Sequence, residues 1–145
     1  MRTLDSDAYL NTLRDLVNQG QEVRLTISGS SMAPFLIHGR DSILFSKPQT
    51  PLRRGDMVFY QRENGQFVMH RILHVKPEGL YLIGDAQTQI EGPLNPTCVF
   101  ARITQVNRKG KWIKPGDFWW WFFQTVWLRV IPLRRIIMGL YGIKK

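Results

Sequence analysis

The chain has 145 residues, 43% of them hydrophobic and 21% charged, which is enough for one modest core and too few for two. No internal repeat, low-complexity tract or Ser/Gly-rich linker is present, so a solenoid and a largely disordered chain are excluded. The net charge of +9 is lopsided: residues 1–106 carry 11 Lys and Arg against 10 Asp and Glu, while residues 107–145 carry nine basic residues against Asp117 alone.

The first residues, 1–7, show no basic segment followed by an apolar stretch. They therefore predict neither a secretory signal nor an N-terminal anchor, and a location in the cytoplasm or peripheral at the cytoplasmic membrane is expected. Residues 6–19 predict an amphipathic helix, with Asp5 or Ser6 as cap, apolar side chains at Tyr9, Leu10, Leu13, Leu16 and Val17, and Gly20 as its stop. From Glu22 the texture becomes β-rich, and strands are expected over residues 23–28, 42–45, 57–61, 66–75, 80–83 and 99–106. Turn residues punctuate them, among them Gly55, Asn64-Gly65 and Pro77 with Gly79. The expected fold is mainly β and mostly antiparallel. The single cysteine, Cys98, has no partner for an internal disulfide or a Cys-x-x-Cys site.

The end of the chain packs Trp119, Trp120, Trp121, Phe122, Phe123 and Trp127 close together, then interrupts the run with Arg129, Pro132, Arg134 and Arg135. Its uninterrupted apolar stretch falls far short of the roughly 20 residues that a spanning helix needs. An amphipathic segment lying on an anionic membrane surface fits better, and packing over the β domain or pairing with a second chain are the alternatives. Because the aromatic and basic residues share one terminal segment with no recognised binding motif, no nucleic-acid partner is expected.

Two residues stand out chemically. Ser31 lies in Ser28-Gly29-Ser30-Ser31-Met32-Ala33-Pro34, directly after a predicted strand, where Gly29 allows the tight turn that can aim a hydroxyl and its own amide at a cleft. A serine needs a positioned base, worth roughly 10²- to 10⁴-fold in rate. His70, in Val68-Met69-His70-Arg71-Ile72, is that candidate, a polar side chain in mid-strand among apolar neighbours. Arg71 beside it reads as a surface charge on the opposite face, Arg53-Arg54 as a solvated turn, Asp56 as a structural turn residue and His38 as a loop residue. His74 falls on the same face as His70 by strand alternation, but no third ligand has suitable spacing, so neither a metal nor another cofactor is expected.

Over residues 22–106 the chain resembles the signal peptidase I and LexA-type serine peptidase superfamily. Four blocks follow the family's order: Gly29-Ser30-Ser31-Met32-Ala33-Pro34, Arg54-Gly55-Asp56-Met57-Val58, Met69-His70-Arg71-Ile72 and Gly84-Asp85-Ala86. Bacterial signal peptidases and LexA-type proteases place a lysine at the base position, so His70 looks like the Ser-His branch found in the endoplasmic reticulum, in archaea and in some Gram-positive bacteria. The resemblance implies a signal-peptidase-like catalytic domain over residues 22–106, flanked by the N-terminal helical segment, 1–21, and the basic aromatic tail, 107–145, that the residues themselves predict. It implies Ser31 as nucleophile, His70 as base and a carboxylate that orients the histidine. Asp85 matches the Gly-Asp block, and Glu91 is the alternative where the His-type enzymes carry a further aspartate. The oxyanion donors would be the Ser31 amide and Ser30, since Gly29 stands where signal peptidases commonly place a serine. The implied substrates are signal, leader or precursor peptides that bind as an extended strand with small residues near the cut. The usual N-terminal membrane anchor of such peptidases has no counterpart among these residues. A LexA-like self-cleaving protein and a catalytically silent relative that binds peptide or membrane are the competing readings.

Overall fold

A computed structural model describes residues 3–27, 32, 33 and 35–133. The first helix, α1 (Thr3–Asn18), begins before the predicted cap, so Asp5 and Ser6 lie within its first turn. It ends as expected at Gly20, whose φ of 90° suits a residue without a Cβ. There the Gln21 amide donates to the Leu16 carbonyl (3.1 Å) and the Gly20 amide to Val17 (2.9 Å), the paired bonds of a Schellman cap. Leu13 and Val17 are buried, and the helix lies against the strands β1 (Val23–Thr26) and β7 (Val99–Arg108).

The described residues are mainly β. Besides β1 and β7 they form β2 (Ser42–Ser46), β3 (Met57–Gln61), β4 (Phe67–Lys76), β5 (Gly79–Ile83), β6 (Glu91–Leu94) and β8 (Lys111–Ile113). All pairings are antiparallel, in the order β1-β2-β7-β3-β4-β5-β6, with β8 pairing β7. Six of the strands lie where period-2 apolar runs place them. Glu91–Leu94 carries Gly92-Pro93, which reads as a turn, and Lys111–Ile113 is three residues long in a basic stretch, so neither has a strand signature. The sheet therefore runs past residue 106, through a β7–β8 turn in which Lys109 and Gly110 both take positive φ (55° and 82°).

Strand alternation gives β3 and β4 two buried faces. Met57 and Phe59 join the main core with Phe35, Phe45, Ile103 and Val106, whereas Val58, Tyr60, Ile72, Leu80 and Leu82 form a second cluster on the other side. The tail adds the short helices α2 (Phe118–Trp121) and α3 (Trp127–Arg129), joined by a π-helical turn (Phe122–Val126). It splits by face. Trp120, Phe123 and Trp127 are buried in the main core, with Phe123 packed 4.7 Å from the Phe35 ring, while Phe118, Trp119 and Trp121 are exposed. Gly55 permits this docking: a Cβ there would stand 2.4 Å from the Gln124 side chain. Among the described residues no helix is long and apolar enough to cross a membrane.

Candidate active site

His70 sits in the middle of β4, opposite Val58 of β3, and is only 4% exposed. Its Nδ1 lies 3.2 Å from the Tyr60 hydroxyl, and the two rings meet edge to face. Tyr60 donates in turn to Glu91 Oε1 at 2.9 Å, and Arg62 grips both oxygens of Glu91, with Nε 3.0 Å from Oε2. Glu91 thus reaches His70 through a tyrosine rather than directly. Burial lowers the His70 pKa to about 4, with Arg62 acting in the same direction and Glu91 and Asp85 opposing it. The imidazole is therefore neutral at neutral pH, the protonation state a general base requires. Among the described residues, nothing hydrogen-bonds Nε2.

Arg71 corrects the reading of a surface charge, since it is 1% exposed and paired with a fully buried Asp85. Its Nε and Nη2 donate to the two Asp85 oxygens at 2.9 Å each, and its Nη1 donates to the Gly55 carbonyl at 2.9 Å. The guanidinium lies 5.5 Å from the centre of the Phe35 ring. Strand alternation does put Arg71 opposite His70, but that face is covered by the loop after residue 31 and by the tail, so it is interior. Asp85 spends both carboxylate oxygens on Arg71, and its carbonyl accepts from the Trp127 indole at 2.7 Å. It acts on His70 as a nearby charge rather than as a hydrogen-bonded partner.

The nucleophile candidate Ser31, the oxyanion candidate Ser30, and Gly29 and Pro34 lie outside the described residues. On either side the chain is firmly held. The Ile27 amide donates to the Asp41 carbonyl at 2.8 Å, the Leu36 amide to Met32 at 2.9 Å, and Met32, Ala33, Phe35 and Leu36 are buried in the main core. Asp41 ties this segment down. Its carboxylate accepts from the Ile37 amide (2.8 Å), from the Lys109 amide (3.1 Å) in the β7–β8 turn and from Arg40. Burial would raise its pKa, but the Arg40 and amide bonds outweigh that and leave it lowered. The segment flanking Ser31 thus packs against the Arg71 side of β4, and the His70 ring projects from the Tyr60 side.

The remaining polar residues divide simply. Asp56 accepts from the Arg53 amide (2.9 Å) and pairs with Arg102 (3.2 Å), a structural turn role as expected, and Arg53 and Arg54 are exposed. A bulge between Ile72 and His74 breaks the alternation that would put His74 on the His70 face, and His74 stacks edge-on with Tyr81 instead. Among the described residues no three His, Cys, Asp or Glu side chains stand close enough to hold a metal ion. A groove of about 730 Å³ opens beside Arg62 and is lined by residues that include Arg14, Lys47, Gln61 and Phe100 but not His70. Sequence reasoning missed Tyr60, Arg62 and Asp41. Tyr60 carried one usable signal, since cross-strand pairing of residues 57–61 with 67–71 would place it diagonal to His70. No family model and no curated protein matches this sequence.

Proposed function

We propose that this protein is a serine endopeptidase of the signal-peptidase type that cleaves signal, leader or precursor peptides with Ser31 as nucleophile and His70 as base. The observation that supports this most is the state of His70: a buried, neutral imidazole in mid-strand with a hydroxyl at one nitrogen and no hydrogen bond from the described residues to the other. Ser31 Oγ would attack the peptide carbonyl as its proton passes to His70 Nε2. The imidazolium would then protonate the leaving amine as the acyl-enzyme forms, and water would release the acyl group by the reverse sequence. The chemistry requires the Ser31 hydroxyl to meet His70 on the Tyr60 side of β4. β1 leads into the Ser31 segment and, among the described residues, pairs only with β2, which leaves an edge for an extended peptide. Small-residue, signal-like peptides are the substrates to test. Cleavage by wild type and none by Ser31→Ala or His70→Gln, both folded by circular dichroism, is the expected result. Absent cleavage by all three removes the peptidase reading, and cleavage that survives His70→Gln removes His70 as base.

The exposed side of the tail supports a peripheral position on an anionic membrane. Phe118, Trp119 and Trp121 are 60%, 45% and 49% exposed on α2, and the Arg108 guanidinium lies 5.3 Å over the Trp119 ring. Lys109, Lys111 and Lys114 are exposed on the adjoining β7–β8 hairpin and the loop after it. Aromatic rings beside lysines match the interface between acyl chains and anionic headgroups. Vesicles containing phosphatidylglycerol should blue-shift the tryptophan emission and retain the protein, whereas phosphatidylcholine vesicles should not. Lys111→Gln should weaken retention about fivefold, the value of roughly 1 kcal/mol per basic residue at the surface. Retention unchanged in a Phe118→Ser/Trp119→Ser/Trp121→Ser variant would assign the patch to another partner.

A further inference from the structure

We propose that Tyr60 and Glu91 act as a positioning pair that holds His70 in the tautomer with its proton on Nδ1, leaving Nε2 as the basic nitrogen. The proposal rests on the reading of His70 as a base, and it explains how a base of this kind works with no carboxylate among the described residues hydrogen-bonded to the ring. Three strands supply the chain of bonds: Tyr60 from β3, His70 from β4 and Glu91 from the first position of β6.

The argument is a count of protons. The Tyr60 hydroxyl has one hydrogen and two neighbours that could accept it, His70 Nδ1 at 3.2 Å and Glu91 Oε1 at 2.9 Å, while its third polar neighbour, Arg62, can only donate to its oxygen. Glu91 is ionised at neutral pH, because hydrogen bonding to Arg62 lowers its pKa against the opposing effect of burial. It is then an acceptor only, and a charged one, so it takes the hydroxyl hydrogen in the stronger of the two bonds available. Tyr60 cannot lose that hydrogen at neutral pH, since burial and the neighbouring Glu91 raise its pKa. Tyr60 therefore turns a lone pair toward Nδ1. A lone pair on Nδ1 would face it across a buried contact, so the neutral ring must place its hydrogen there. The opposite tautomer would require Tyr60 to donate to Nδ1, leaving two acceptor oxygens 2.9 Å apart. In Ser-His systems a carboxylate imposes the same tautomer by direct contact. Here a tyrosine carries the effect of Glu91 across one more bond.

The test reads the tautomer directly in the full chain. In long-range ¹H–¹⁵N spectra of protein labelled at histidine, at neutral pH, the signals lost in His70→Gln identify the ring. Wild type should show a protonated, pyrrole-type Nδ1 and an unprotonated, pyridine-type Nε2. Tyr60→Phe removes the acceptor and should move the ring toward the Nε2–H tautomer or a mixture. Glu91→Gln, whose amide can donate to Tyr60 and free it to donate to Nδ1, should do the same. With a cleavable peptide, kcat should fall at least about tenfold in Tyr60→Phe while KM stays put, since a ring in the wrong tautomer binds substrate but cannot take the serine proton. A wild-type ring protonated at Nε2, or a spectrum unchanged by Tyr60→Phe in a folded protein, overturns the proposal. The readout needs no turnover. Nδ1 protonation that depends on Tyr60 in a protein that cleaves nothing upholds the pair and sinks only the peptidase reading, and cleavage by a protein protonated at Nε2 does the reverse.

Discussion

Replacing Asp85 by alanine is expected to destabilise the fold by about 3–5 kcal/mol, the cost of leaving one member of a buried ion pair without its partner. Arg71 and Asp85 are 1% and 0% exposed, and the guanidinium has its other contacts with the Gly55 carbonyl and the Phe35 ring, neither of which can neutralise it. With total stabilities of about 5–15 kcal/mol typical of such domains, the variant should melt roughly 10 °C lower. Urea unfolding at neutral pH measures the loss. The double replacement Arg71→Met/Asp85→Leu should recover much of it, because the pair's attraction largely offsets its desolvation and what the single variant suffers is the stranded charge. A loss below about 1 kcal/mol in Asp85→Ala, or a double variant as unstable as the single, would show that the guanidinium finds water once its partner is gone. The geometry argues against that escape. Gly55 on one side, Phe35 on another and the Trp127 indole on the Asp85 carbonyl close the site, so the tail, the β3 turn and the segment after Ser31 all converge on this pair.

That convergence shows which features are legible in a single sequence. Strands such as Met57–Gln61 declare themselves because apolar side chains and their bounding turns are local. His70 is visible for a related reason, as a polar residue where the period demands an apolar one. Arg71 misleads because alternation gives the face a residue occupies but not what covers that face. The cover comes from residues 32–36 and from Trp127, distant in sequence. Tyr60 reads simply as one more buried aromatic, since its hydroxyl matters only through Glu91, which lies 31 residues away on a strand that carries proline and has no strand signature. The tail is a third case. Its density of Trp and Phe marks a surface-seeking segment, yet half of these rings are core, and only the helical phase set by packing on Phe35 separates Trp120 and Phe123 from Trp119 and Trp121.

Acidification should unfold the protein partly through one residue. His70 has a pKa of about 4 when folded and about 6.5 when unfolded, so between these values the unfolded chain binds more protons and stability rises with pH. The contribution is fully present above about pH 6.5 and is lost as pH falls through about 4, in total about 3 kcal/mol at 1.36 kcal/mol per unit. Four side chains bear on the ring: Tyr60, Glu91 and Arg62 around Nδ1, and Asp85 behind the strand. Burial outweighs both carboxylates, which is why the ring stays neutral despite two negative charges nearby. Urea unfolding of wild type and His70→Gln across pH 3 to 7.5 isolates the effect, because the carboxylates whose pKa is lowered, Asp41 and Glu91, titrate in both. The wild-type curve should fall more steeply, and the two should converge in slope below about pH 4. Glu91→Gln should lower the His70 pKa further, since Glu91 is the larger of the two charges that favour the imidazolium. If the protein cleaves peptides, the acid limb of kcat/KM should lie near 4 rather than 6.5, as that limb reports the base in the free enzyme. Parallel stability curves for wild type and His70→Gln would mean that the ring is protonated as readily in the folded as in the unfolded chain, which is incompatible with a side chain only 4% exposed beside Val58 and Tyr60 of the second apolar cluster.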